Sequence, residues 1–477
     1  MNGTAGLTGW PRRWLLCLSA LAQVTDAQIP ADTAFSAGAD TAFTIAGADL
    51  LTIPSAVRES GFEFVVAAVA PRLEAVLYPI PLQREGDLWS QWGDGVIGTD
   101  GRFYSAIGDH GGPGGRSFIY AYDPKTRRLE LVVDQQEMLG QQPEDWGFGK
   151  IHGRLDQFSD GWLYWATYWG NAPPVGYTQR AELFGMVVRA NPKTGQGEIL
   201  GVLDAPYVMP TSMADTRRGL LYALPCDRRW EGRGFAVFDV SRQRTIYRGH
   251  LDTEASHRFI FVDETDGSAW FSVRPDPGSS QVWLARYDSD KNRVEEQAVR
   301  LPTGYGPVRA GTEHPDPLGH FYGVSDGHLL RLIPEARSTE PLGLLWPKHH
   351  DPDRGELSSS MPGAYTTVLE ISPGGRYLYA IPNAHGQAWR DGAPVLQYDT
   401  RTGVCKVLAF LGPALEQRFA YRVGGSYCLE LSLDGASLFF GINGQLMGKG
   451  TVDETGFGHP ASMVLHIPPA ERLDDSR

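Results

Sequence analysis

The chain has 477 residues, a formal net charge of −13 and a pI near 5.4. That balance excludes a generalised nucleic-acid binder. No apolar run approaches the roughly 20 residues a membrane helix needs, so no membrane span is expected.

At the N-terminus, Arg12 and Arg13 precede an apolar run from Trp14 that ends in Ala20-Leu21-Ala22. This is the pattern of a signal peptide over residues 1–22, and it implies export to the periplasm or beyond the cell. Its removal leaves Cys226, Cys405 and Cys428, an odd number that allows one disulfide at most. Residues 23–60 are rich in Ala, Asp and Thr and contain ADTAF twice, at 31–35 and 39–43. They read as a disordered, low-complexity spacer. The first strand-like run is GFEFVVAAVA, at 61–70.

The stretch 149–170, GKIHGRLDQFSDGWLYWATYWG, then sets a pattern. A strand around Ile151–Phe158 is followed by the turn Asp160-Gly161 and a second strand at Trp162–Trp169, with Tyr164 four residues past Asp160. Six further segments repeat the frame. They are Asp100-Gly101 with Tyr104, Arg218-Gly219 with Tyr222, Asp266-Gly267 with Trp270, Leu318-Gly319 with Tyr322, Gly375 with Tyr379, and Asp434-Gly435 with Leu438. A packed position wanting a large flat side chain behind each hairpin explains the recurrence. Seven copies at a period of roughly 50–60 residues mean a repeat architecture. The fold expected is an all-β, seven-bladed β-propeller of four-stranded antiparallel blades over 61–468, with a tail at 469–477. Part of 61–83 should close the last blade, because a ring otherwise leaves two unpaired edges.

The blades fall at about 88–134, 149–203, 209–250, 256–301, 308–346, 364–411 and 425–467. Four carry an aromatic-Asp pair at the end of the third strand: Tyr122-Asp123, Phe238-Asp239, Tyr287-Asp288 and Tyr398-Asp399. These aspartates read as turn formers, and Asp288, Asp290 and Asn292 as a hairpin turn more than a calcium loop.

In a propeller, the starts of inner strands and the ends of second strands reach one face around the channel. Frame counting places His110, Tyr168, Trp169, Arg228, Arg274, Asn383 and His385 there, with Lys150, His152, His257, Arg258, Arg309 and Tyr427 from inner-strand starts. A basic patch on an acidic protein focuses an anionic ligand, and aromatic platforms stack on sugar rings. The combination suits an anionic polysaccharide or oligosaccharide. Taken singly, each histidine has an ordinary loop reading, Arg228 an ordinary surface-charge reading, and Tyr168 and Trp169 a packing one. The His349-His350 pair, with Asp351, Asp353 and Glu356, forms a weaker metal-binding candidate.

Seven repeats, the exported context and the Gly-Lys-Ile-His segment at 149–152 resemble the propeller-type polysaccharide lyases, such as the ulvan and oligogalacturonate lyases, over residues 85–468. The resemblance implies β-elimination of a uronate-containing glycan. In those enzymes a cation or metal neutralises the carboxylate, a Tyr or His takes the C5 proton, and an acid assists the leaving oxygen. Ulvan lyases use two His, a Tyr and an Arg, and this chain offers those types on the expected face. It shows no His/Gln metal cluster of the oligogalacturonate type. On this reading His110 and His152 are acid/base or neutralising groups and Tyr168 is the base. Lys150, Trp169, Arg228, His257, Arg258, Arg274, Arg309, Asn383, His385 and Tyr427 bind substrate. The cofactor is left open, a divalent metal such as calcium being the candidate, and a monomer is expected. Two alternatives remain: a non-catalytic propeller that binds glycan or protein, and a metal-dependent lactonase or streptogramin-lyase-like enzyme. The second needs carboxylates around the channel, for which Asp276, Asp326 and Glu313 are scattered candidates.

Overall fold

The repeat frame is realised as a ring of seven antiparallel sheets. The computed structural model describes residues 42–59, 61–81, 87–174, 185–203, 208–226, 234–251, 253–275, 279–346, 365–384, 388–448 and 456–473. All of these lie in one compact unit, Thr33–Arg477. Blade one is built from Val96–Ile97, Phe103–Gly108, Ser117–Asp123 and Arg128–Asp134, paired in that order from the channel outward. Blade two spans Asp156 to Val202, blade three Val208 to His250, blade four Glu254 to Arg300 and blade five Ala310 to Leu344. Blade six spans Leu369 to Phe410 and blade seven Tyr421 to His466.

Each hairpin between the first and second strands turns on a glycine with φ between +66° and +83°: Gly101, Gly161, Gly219, Gly267, Gly319, Gly375 and Gly435. An L side chain resists that left-handed region. Behind the turns stand Tyr104, Tyr164, Tyr222, Trp270, Tyr322 and Tyr379, all buried. The hydroxyls of Tyr104 and Tyr164 donate to Asp100 and Asp160 in their own turns, at 2.8 and 2.6 Å. Blade seven differs from the expectation. Its hairpin is one residue longer than that of blade one, because Leu431 pairs with Leu438 where Ile97 pairs with Phe103. Phe439, opposite Glu430, therefore takes the place that Tyr379 takes opposite Glu370. The flat side chain is displaced by one residue and not replaced by leucine.

A single substitution tests how much the polar tip contributes. Tyr164→Phe keeps the packed ring but removes hydrogen bonds with Asp160 and Arg189. Chemical denaturation should show a loss of about 1 kcal/mol, and an unchanged midpoint would mean that only the ring matters.

Among the described residues, seven apolar clusters occupy the gaps between neighbouring sheets. One pairs blades one and two through Tyr104, Ile119, Ile151 and Trp165, and another pairs blades seven and one through Trp89, Phe103, Cys428 and Phe439. The last gap closes with N-terminal chain. Arg72–Leu77, inside the expected 61–83, pairs antiparallel with Ala461–His466. Phe43–Ala46 then pairs with Arg72–Leu77 as a fifth strand. The latter part of the Ala/Asp/Thr-rich stretch is thus folded, where a disordered spacer was expected. Ile45 and Leu50 are buried in the core of blades six and seven, and that apolar contact holds the segment down. The outer strand of blade six is likewise covered, by Val65–Val66 in parallel pairing.

The aromatic-Asp pairs do end third strands, and their aspartates accept from turn amides such as Lys125, Arg242, Lys291 and Arg401. Asn292 adopts φ +49° and accepts from the Tyr287 hydroxyl, as a hairpin residue. Cys226, Cys405 and Cys428 are buried free thiols. Among the described residues no helix is long and apolar enough to cross a membrane.

Candidate functional site

Inner-strand starts of several blades, with second-strand ends of blades one and two, build the mouth of the channel. In blade two, Lys150 forms an isolated bridge with Tyr168, which brings the end of the second strand beside the start of the first. His152 follows two residues on, and its ring meets Tyr168 edge-on at 5.3 Å. Trp92, ahead of the inner strand of blade one, is the shared surface. His110 lies 4.8 Å from its ring, His152 stacks at 6.4 Å, Tyr427 lies at 4.8 Å and Phe457 at 5.4 Å. Lys150 Nζ sits 3.8 Å from the centre of the same ring, close enough for a desolvated cation–π contact.

The cavity here has about 550 Å³ of free space, its open mouth included, and Trp92, His152, Arg258, Tyr365 and Tyr427 are among its lining residues. Arg309 stands behind Tyr365, donating to its hydroxyl at 3.0 Å with the guanidinium 4.6 Å from the ring centre. Burial, reinforced by the positive charge of Arg258, pushes the Lys150 ammonium down to about 7. Burial also lowers Arg309, and Arg258 acts on it in the same sense. Arg258 thus repels both Lys150 and Arg309, and the group is poised to accept an anion.

Of the residues expected at this site, His152, Arg258 and Tyr427 line the cavity, and Lys150 and Arg309 adjoin it through Trp92 and Tyr365. His110 is not among the lining residues but packs against one of them, Trp92. Its backbone, at φ +57°, hydrogen-bonds Gly149. Tyr168 is 3 % exposed and touches His152 without lining the cavity. Burial raises its hydroxyl far above the ordinary tyrosine value, which disfavours a base role at neutral pH. Trp169 packs into the core of blades one and two instead of offering an open platform. Arg274 ends the second strand of blade four, outside the cavity lining. Asn383 donates to Asp391, which also accepts from Trp346 at 2.8 Å, so it serves a buried polar cluster. Arg228, Asp276, His385, and His349-His350 with their acidic loop lie outside the described residues, as does the side chain of His257.

Sequence reasoning missed Tyr365 and a second feature deeper in the channel. Arg154, 5 % exposed, reaches across the ring from blade two. It bonds Glu430 at 2.7 Å and Glu313, and lies 3.7 Å from Asp94 and 3.4 Å from Asp156. Glu370 adds a fifth carboxylate, its oxygen grouped with those of Glu313 and Glu430 within 4.8 Å. Burial lifts Asp94 to about 6 and Asp156 to about 7, against the pull of Arg154, and raises Glu370 and Glu430 in the same direction. A signal for this existed. Asp156, Glu370 and Glu430 each stand four residues before a turn, at Asp160-Gly161, Gly374-Gly375 and Asp434-Gly435. Of the three scattered carboxylates weighed from sequence, Glu313 belongs to this group, and Asp326 is an exposed residue in the turn before His328.

No protein-family model matches the chain, and no curated protein does. Solved structures similar to it include an oligogalacturonate lyase from Vibrio parahaemolyticus, at 9% identity and a TM-score of 0.50, covering 91% of this chain and 98% of that one. An oligogalacturonate lyase in complex with manganese has 10% identity and a TM-score of 0.51, covering 91% and 99%. The WD40 repeats of RRP9 give 11% identity and a TM-score of 0.49 over 80% and 96%. At such identities the likeness is one of architecture: the chain is a seven-bladed β-propeller, similar in fold to the two oligogalacturonate lyases.

Proposed function

We propose that the channel mouth binds the carboxylate of an anionic sugar and catalyses β-elimination there. One observation carries this reading: a cation, a potential base and hydroxyl donors, Arg258, His152, Tyr365 and Tyr427, line a single cavity with an indole wall. Arg258, with Lys150 and Arg309 behind it, neutralises the carboxylate and so acidifies the adjacent C–H. His152 accepts that proton, a role that contributes on the order of 10²–10⁴-fold for a positioned base. Tyr168 is a positioning residue, packed edge-on against the imidazole. Tyr365 or Tyr427 donates to the departing glycosidic oxygen, so the C4–O bond breaks as the C4–C5 double bond forms. Trp92 supplies the flat apolar face for a sugar ring.

Purified protein incubated with polygalacturonate and other uronate-containing glycans should release unsaturated uronate, seen as ultraviolet absorbance. His152→Ala should lose turnover by about 10²-fold or more while its melting temperature stays nearly unchanged. Glycans bound but left intact would favour the binding reading, and no binding to any of them would reject the site. The export signal and the choice of glycan belong to the same proposal, supported by the leader pattern and by the cationic mouth.

A further inference from the structure

The group around Arg154 has a charge problem. Four carboxylates from blades one, two, five and seven meet one guanidinium, and a fifth, Glu370 of blade six, is grouped with two of them. If ionised, they leave a large excess of buried negative charge, and even one uncompensated buried charge is strongly destabilising. Arg154 Nη2 takes Oε2 of Glu313 and Oε1 of Glu430, so each of those carboxylates keeps its second oxygen for another partner. Glu370 makes no ion pair among the described residues, yet its oxygen lies within 4.8 Å of ligand oxygens on Glu313 and Glu430. That span is about twice the 2.3–2.6 Å metal–oxygen distance of calcium. A further observation points to something missing. Asp156, 3 % exposed, has one oxygen 3.4 Å from Arg154 Nε and leaves its other, Oδ2, with no hydrogen-bond partner. Buried carboxylate oxygens are normally satisfied.

We propose that the channel binds a divalent cation, calcium by its all-oxygen donor set, between Glu313, Glu370 and Glu430 and beside Arg154. Hard oxygen ligands with no sulfur or imidazole among them select calcium or magnesium over softer metals. The cation enters from the mouth, since the cavity lined by Trp92 and His152 extends to Asp94 and Arg154. It would tie blades five, six and seven together at the axis, where the neighbouring Arg154 already joins blade two to blades five and seven. The inference does not depend on the lyase reading, because Glu313, Glu370 and Glu430 take no part in the elimination.

The test uses the full chain stripped with a chelator and desalted. Added calcium chloride should raise the melting temperature by several degrees, and elemental analysis of the reloaded, dialysed protein should find about one calcium per chain. Glu370→Gln, which keeps the shape and removes the charge, should abolish both effects while circular dichroism shows an intact β fold. If that variant does not fold, Glu313→Gln, at a less buried position, serves in its place. No metal-dependent rise with calcium, magnesium or manganese would overturn the proposal. So would a rise that persists undiminished in a folded variant.

Discussion

Replacing Arg154 by methionine should cost about 3–5 kcal/mol, enough to leave the chain partly unfolded at ordinary temperatures. The side chain contributes little through volume, and methionine fills most of its space. What disappears is the guanidinium opposed to Asp94, Asp156, Glu313 and Glu430, all drawn from different parts of the ring. Breaking a buried ion pair from one side costs more than never having made it, because the remaining charges stay buried. Arg154→Lys should recover only part of the loss, since an ammonium has one nitrogen where Arg154 turns Nη2 to Glu313 and Glu430, Nη1 to Asp94 and Nε to Asp156. Urea denaturation of the three proteins checks this. A methionine variant as stable as the parent would show that the carboxylates compensate one another without Arg154.

The second large effect concerns Lys150. Its folded-state value, about 7, lies below the ordinary 10.5. Between those limits the unfolded chain binds the proton and the folded chain does not, so stability rises with pH across that window. The cost of burying the charged amine is fully present below pH 7. Lys150→Met should therefore stabilise the protein by a few kcal/mol, most strongly at pH 6. The missing cation–π attraction to Trp92 offsets part of that gain. The same substitution should weaken anion binding. Below pH 7 the mouth holds Lys150, Arg258 and Arg309 as cations, and above it the lysine is neutral. A bound carboxylate that raises the amine by one unit would tighten affinity about tenfold as pH falls through 7. Calorimetry of galacturonate binding in buffers of different ionisation enthalpy should show proton uptake near pH 7.5 in the parent and none in the variant. Equal uptake in both would place the titrating group elsewhere.

The fold was legible because its frame is local. A turn glycine and a flat side chain three or four residues later recur wherever a hairpin backs onto the next blade, and each copy can be read without knowing its neighbours. Phe439 marks the limit, since one extra turn residue shifts the pattern without changing its physical cause. The site was legible only where it depended on strand ends. His152, Arg258 and Tyr427 fall where the frame puts them, whereas Trp169 occupies a frame position on the side that faces the core. The Arg154 group escaped because Glu313 and Glu430 lie 159 and 276 residues from Arg154 and meet it only across the axis. Glu370 and Glu430 are acidic residues flanked on both sides by leucine or isoleucine, and that incongruity was their local trace.

The ring closes between Arg72–Leu77 and Ala461–His466, which has a consequence for how the protein is made. At roughly 5–20 residues per second of synthesis, the first strand waits on the order of 20–80 seconds for its partner to emerge. During that wait it carries an unpaired edge, and a pairing so distant in sequence is slow to form. Phe43–Ala46 can pair with it at once, since both are made within the first 80 residues. The early hairpin blocks one edge of Arg72–Leu77 and leaves the other for the last blade. The nascent chain thus carries its own guard on that edge, and the guard stays in place in the folded sheet.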